Sequence, residues 1–167
     1  VIRPLPPTAL PSPMTPGTYL RKRREAAGVS LELAAVAFLP CSNTPIQPVL
    51  GPRSAGHGMV ATVLKIAAWL GELESDQRHV DGIALVQMSG VVPFEREAYD
   101  RLVALHLGVD VAPPSICREC GCGVLTACTH AGYPCAWSET DPNLCTACER
   151  REAQEAAADF PETEDAS

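Results

Sequence analysis

Seven of the eight cysteines fall between Cys117 and Cys148, in the string Cys117-x2-Cys120-Gly-Cys122-x5-Cys128-x6-Cys135-x9-Cys145-x2-Cys148. No other feature of the 167 residues restricts the fold as strongly. Each C-x2-C pair closes a tight turn whose two sulfurs converge, and the two pairs stand 24 residues apart. Together they supply the four ligands of a tetrahedral zinc ion. The 34 residues from Ser115 to Cys148 hold almost no aliphatic side chains. Such a segment cannot order itself by burial alone, whereas metal binding contributes on the order of 10 kcal/mol of folding free energy. Cys117, Cys120, Cys145 and Cys148 are therefore the expected ligands of a structural Zn(2+) site, closed and without an open position for catalysis.

The inner cysteines leave three readings open. Cys122, Cys128 and Cys135 can join His130 in a second site of Cys3His type. One thiolate can instead bridge two metals, or the three can stay as buried free thiols that behave as small hydrophobes. One or two Zn(2+) ions per chain are expected. Two rival chemistries use cysteine as well. Disulfides need an oxidising compartment, and Val1–Pro13, with five prolines and no apolar run, does not read as a secretory leader. A cytoplasmic location is expected. An iron–sulfur cluster is compatible with the compact Cys120-Gly-Cys122.

Charge breaks at the same place as cysteine content. Residues 1–110 carry ten basic and ten acidic side chains, while residues 111–167 carry three and ten, the whole of the net −7. That excludes a surface built throughout to coat nucleic acid. No apolar run reaches the roughly 18–20 residues of a membrane span, so no membrane partner is expected. The chain divides into a disordered Pro-rich leader (1–13), a helical unit (14–108), a linker (109–114), a Cys-rich metal-binding module (115–148) and an acidic tail (149–167). Met14 is an alternative start.

The helical unit is legible from caps and periodicity. Thr15 can N-cap, Pro16 suits the first helical position and Gly28 stops a helix over Tyr19–Ala27. Ser30 caps a second helix with Glu32 in its first turn, ending before Pro40. Residues 41–58 hold three prolines and three glycines and read as a loop insertion. A third helix spans Met59–Glu74, with Val60, Val63, Leu64, Ala67 and Leu70 on one face. Asp81–Met88 reads as a short helix, and Pro93–His106 as another lined by Phe94, Ala98, Leu102 and Leu105. The tail is expected to stay helical to about Ala158. The expected fold class is mainly α: a helical bundle followed by a small irregular zinc-ribbon or knuckle-like module.

The pattern L-R-x-x-R-E-A-x-G-[LV]-S-x-E, carried by Leu20, Arg21, Arg24, Glu25, Ala26, Gly28, Val29, Ser30 and Glu32, resembles the opening of the Cro/repressor-type helix-turn-helix family. Leu20, Ala27, Val29 and Ala34 would fill the angle between its helices. The resemblance covers about twenty residues and implies a recognition helix entering the major groove. Met59–Glu74 is the candidate, yet Lys65 is its one cation and it offers no Asn, Gln or Arg to base edges. The run Arg21-Lys22-Arg23-Arg24 is the only dense basic cluster and the expected DNA contact; the alternative is a solvated helix face. The cysteine segment resembles a small module of bacterial and prophage-encoded proteins, through Cys117-Arg-Glu-Cys-Gly-Cys122, Ala127-Cys128, Pro134-Cys-Ala-Trp137 and Asp141-Pro-Asn-Leu-Cys-Thr-Ala-Cys148. It implies a metal-binding module with Trp137 and Leu144 as a miniature core.

Other chemistry is sparse. His57 sits alone in the loop, Cys41 follows Pro40, and neither belongs to a nucleophile signature. No phosphate-cradling loop or metalloprotease string occurs, so neither an enzyme nor a small-molecule substrate is expected. The expected function is a small DNA-binding regulatory protein of phage or prophage type, with a structural zinc module suited to a protein partner. The alternatives are an adaptor that binds no nucleic acid, and a metal or redox sensor using Cys122, Cys128 and Cys135.

Overall fold

A computed structural model describes residues 13–39, 59–78, 80, 82–130 and 132–158, the side chains of Met59 and His130 excepted. The leader before Pro13, the 41–58 loop with Cys41 and His57, His79 and the acidic end of the tail lie outside the described residues.

Helix α1 (Pro16–Ala26) starts where Thr15 accepts the amide of Thr18 at 3.2 Å. It ends before Gly28, whose φ of +68° reverses the chain at no steric cost. Ser30 then caps α2 (Leu31–Val36) by accepting the Leu33 amide at 3.1 Å. Helix α3 (Met59–Glu74), α4 (Gly82–Ser89) and α5 (Arg96–His106) complete the bundle, and no strand occurs among the described residues before 110. Tyr19 and Leu20 of α1 are fully buried at its centre, with Ala34 and Ala35 of α2, Leu70 and Leu73 of α3, and Leu102 of α5. Phe38 meets the edge of Trp69 with ring centroids 5.4 Å apart.

Three packing details differ from the sequence reading. The inward stripe of α3 is Ile66, Ala67, Leu70 and Leu73, while Val60 and Leu64 are exposed. Buried Glu74 must face α1 to meet Arg24, which fixes the rotation of α3; Leu64 then lies about 120° from the centre of the buried stripe. Ala27 is exposed as the C-cap of α1 instead of filling the helix angle. In α5 the buried set is Ala98, Tyr99 and Leu102, with Leu105 half-buried.

After residues 109–115, which belong to no helix or strand, the cysteine region is mostly irregular. Strands β1 (Thr129–His130) and β2 (Tyr133–Pro134) form a two-residue antiparallel hairpin, with Thr129 opposite Pro134. A single bridge joins Trp137 to Cys145. Helix α6 (Thr146–Ala158) begins inside the cysteine string, so that Cys148 lies in its first turn. Leu144 is buried against the cysteines, and Trp137 packs on them from the side.

The cysteine region rests on α1. Gly121 has φ +69°, and a Cβ there would stand 3.1 Å from the Tyr19 ring and 3.2 Å from Arg23 Cδ. Glu95, just ahead of α5, accepts the Leu125 amide at 2.8 Å and the Thr126 hydroxyl at 3.2 Å. Its own amide donates to the Tyr19 phenol oxygen at 2.9 Å.

Candidate metal centre

All seven cysteines of the string converge. Cys117, Cys120, Cys122, Cys145 and Cys148 are buried, and Cys128 and Cys135 are half-buried. Sulfur separations are 3.8 Å for Cys120–Cys145, 3.7 Å for Cys128–Cys145, 3.6 Å for Cys122–Cys135 and 4.0 Å for Cys120–Cys128. A covalent disulfide would set about 2.05 Å. Four thiolates around one zinc at about 2.3 Å stand about 3.8 Å from each other along the edges of the tetrahedron. The observed spacing excludes disulfides and is compatible with a metal–thiolate site.

Two sets of four sulfurs lie mutually within 4.8 Å: Cys117, Cys120, Cys122 and Cys145, and Cys122, Cys128, Cys135 and Cys145. Three of the four expected primary ligands therefore share a set. Cys148 is buried in the same cluster, its thiol engaged with Cys145 and Cys120, but it falls outside both sets, and Cys122 stands in its place. The cause is Gly121. Its left-handed φ folds the chain back, and the Cys117 amide donates to the Cys122 carbonyl at 2.8 Å, closing a loop that carries the Cys122 sulfur inward. In the second set the fourth position belongs to Cys145; the His130 backbone lies in β1, and its side chain is outside the described residues.

Backbone amides hold the ligand loops. Cys145 N–H donates to Cys117 Sγ at 3.4 Å, the Cys135 amide to the Cys128 carbonyl at 2.8 Å, and the Arg118 amide to the Asn143 carbonyl at 2.8 Å. Arg118 also pairs with Asp141 and with Glu152 of α6. Proton affinities across the cluster diverge. Hydrogen bonds from the Cys120 and Cys122 thiols hold Cys117 well below the ordinary thiol range, and the same contacts push Cys122 and Cys120 up. Burial raises Cys128 and Cys148. At Cys145 burial is outweighed by the Cys148 amide and by the Cys148 and Cys128 thiols, so that it is lowered. Without a cation such a cluster shares few charges over many sulfurs; a bound divalent ion would displace the protons of the sulfurs it takes as ligands.

The basic run is not one patch. Arg21 is exposed. Lys22 Nζ donates to the Arg118 carbonyl at 2.7 Å. Arg23, 2% exposed, donates to the carbonyls of Pro93 at 2.7 Å, Cys120 at 3.4 Å and Thr126 at 2.9 Å. Arg24 forms a bidentate pair with buried Glu74 at 2.6 and 2.7 Å and caps the Val29 carbonyl at 2.8 Å. Lys65 is exposed on α3. Tyr19 and Glu95, which hold the 121–126 segment, have no signature in the sequence.

No helix among the described residues is long and apolar enough to cross a membrane. Searches for similar proteins find no matching family model, no matching curated protein and no matching solved structure.

Proposed function

We propose that this chain is a zinc-dependent interaction protein, in which a thiolate-bound metal orders the 115–148 segment and seats it on the helical bundle as one body for a protein partner. The observation that carries this reading is the gathering of six sulfurs into two sets within 4.8 Å, with Cys148 buried beside them and Gly121 of the same segment seated on α1. The metal's role is structural, because four thiolates leave no coordination position open for a substrate. Support for a protein partner comes from side chains that a nucleic acid would not need. Leu33 and Val36 of α2 and Val60 and Leu64 of α3 are all exposed among the described residues. The test is elemental analysis of protein purified without chelator, followed by chelator titration. Zinc in stoichiometric amount, with loss of the Trp137 environment on chelation, is expected; a metal-free folded module overturns the reading.

DNA binding is the second reading, favoured by the α1–Gly28–α2 turn with its Ser30 cap and by α3 packed on α2. Three of the four residues in the basic run spend their donors within the chain. Arg21 and Lys65 are what remains of the proposed DNA contacts. Two phosphate contacts give a slope of log K against log salt of about −1.8, and weak binding. A mobility shift with a slope several times steeper would restore this reading to first place.

A further inference from the structure

We propose that the seven thiolates hold two metal ions in one cluster, with Cys145 as a corner shared by both coordination tetrahedra. The inference rests on the metal-binding reading and deepens it. Two tetrahedra need eight corners, and seven thiolates supply eight only if one is shared.

The sulfur geometry says which. Cys145 lies 3.8 Å from Cys120 and 3.7 Å from Cys128, and its amide donates to Cys117 Sγ, so that it touches both halves of the cluster. Cys122, the other member common to both sets, also meets the Cys117 and Cys120 thiols of the first half, but its short sulfur contact, at 3.6 Å, is with Cys135 in the second half, whereas Cys145 has a sulfur contact under 4 Å in each. One ion is held by Cys117, Cys120, Cys145 and Cys148, the other by Cys122, Cys128, Cys135 and Cys145. Sharing two corners, Cys122 and Cys145, would leave Cys148 spare and is disfavoured by one distance. Across a shared edge the unshared corners of two such tetrahedra stand about 5 Å apart. Across a shared corner they can close to about 3.8 Å, and Cys120–Cys128 is 4.0 Å.

Charge accounts for the neighbours. Seven thiols lose seven protons to two divalent ions, so that the cluster carries three net negative charges. Lys22 and Arg23 place their cationic heads on the carbonyls of Arg118, Cys120 and Thr126 around it. A basic run whose sequence reads as a phosphate contact complements this internal anion.

The test uses the full chain loaded with cadmium-113. Native mass spectrometry is expected to give two ions per chain, and the NMR spectrum two cadmium resonances split by each other through the shared sulfur. One ion per chain, or two unsplit resonances, overturns the proposal while leaving metal binding intact; no retained ion overturns metal binding itself. Cys148→Ala separates the two ways of sharing. A shared corner predicts loss of one ion and collapse of the splitting, whereas two ions with the splitting retained would establish the shared edge and overturn the assignment. The wild-type spectrum stands if that variant does not fold.

Discussion

Arg23 and Arg24 are adjacent cations with opposite tasks. Arg24 closes the bundle through Glu74, and Arg23 ties the bundle, at the Pro93 carbonyl, to the cysteine region through the carbonyls of Cys120 and Thr126. In Arg24→Met the carboxylate of Glu74 is left buried and unpaired, with an expected loss of about 3–5 kcal/mol in urea unfolding. The double variant Arg24→Met/Glu74→Leu is expected to recover most of it, because the charge to be solvated is gone. Arg23→Ala is expected to cost on the order of 3 kcal/mol by orphaning carbonyls in a buried seam, and to speed metal release in a chelator competition. Tyr19 carries a pH prediction. Burial is the main cause that pushes its phenol up to about 12 from an ordinary 10.0. Its folded pKa lies above its unfolded one, so this stability is fully present below about pH 10 and is lost as pH rises through about 12. Unfolding midpoints are expected to fall across that window in the wild type and to fall less in Tyr19→Phe. None of these roles was legible from the run of basic letters, since charge pattern does not tell which cation meets a carbonyl about a hundred residues away.

At the scale of elements, helix ends were legible and helix faces less so. Thr15, Pro16, Gly28 and Ser30 mark their helices by local chemistry, and α3 occupies Met59–Glu74 as its periodicity indicates. Which of two overlapping apolar stripes on α3 turns inward depends on Glu74 finding Arg24, a tertiary fact. A second such fact is Gly17. Its amide donates to Asp76 Oδ1 at 2.7 Å, and a Cβ there would overlap the Leu73 carbonyl oxygen at the end of α3. Gly17→Ala raises helix propensity yet forces α1 and α3 apart. An expected net loss of about 1–3 kcal/mol in thermal or urea unfolding measures the overlap against the propensity.

For the whole molecule, the sequence divides the chain by charge and cysteine content, and the structure packs its parts together along α1. Spacing found every sulfur of the cluster. It did not find how close Cys122 comes to Cys117, Cys120 and Cys145, because a positive φ at Gly121 is a backbone choice that ligand spacing does not encode. Removing metal is expected to change Trp137 emission in a Trp69→Phe background and to lower the unfolding midpoint of the helical bundle as well, through Arg23 and Glu95. A bundle midpoint indifferent to chelator would show that the two regions do not support each other. The same seam has a consequence in time. Arg23 is synthesised 97 residues before Cys120 and 103 before Thr126. At about 5–20 residues per second, its guanidinium waits roughly 5–20 seconds for those carbonyls. During that interval α1 can already close against α2 and α3 through Leu20 and Arg24, while its Arg23 side stays without its partners until the cysteine region emerges and folds onto it.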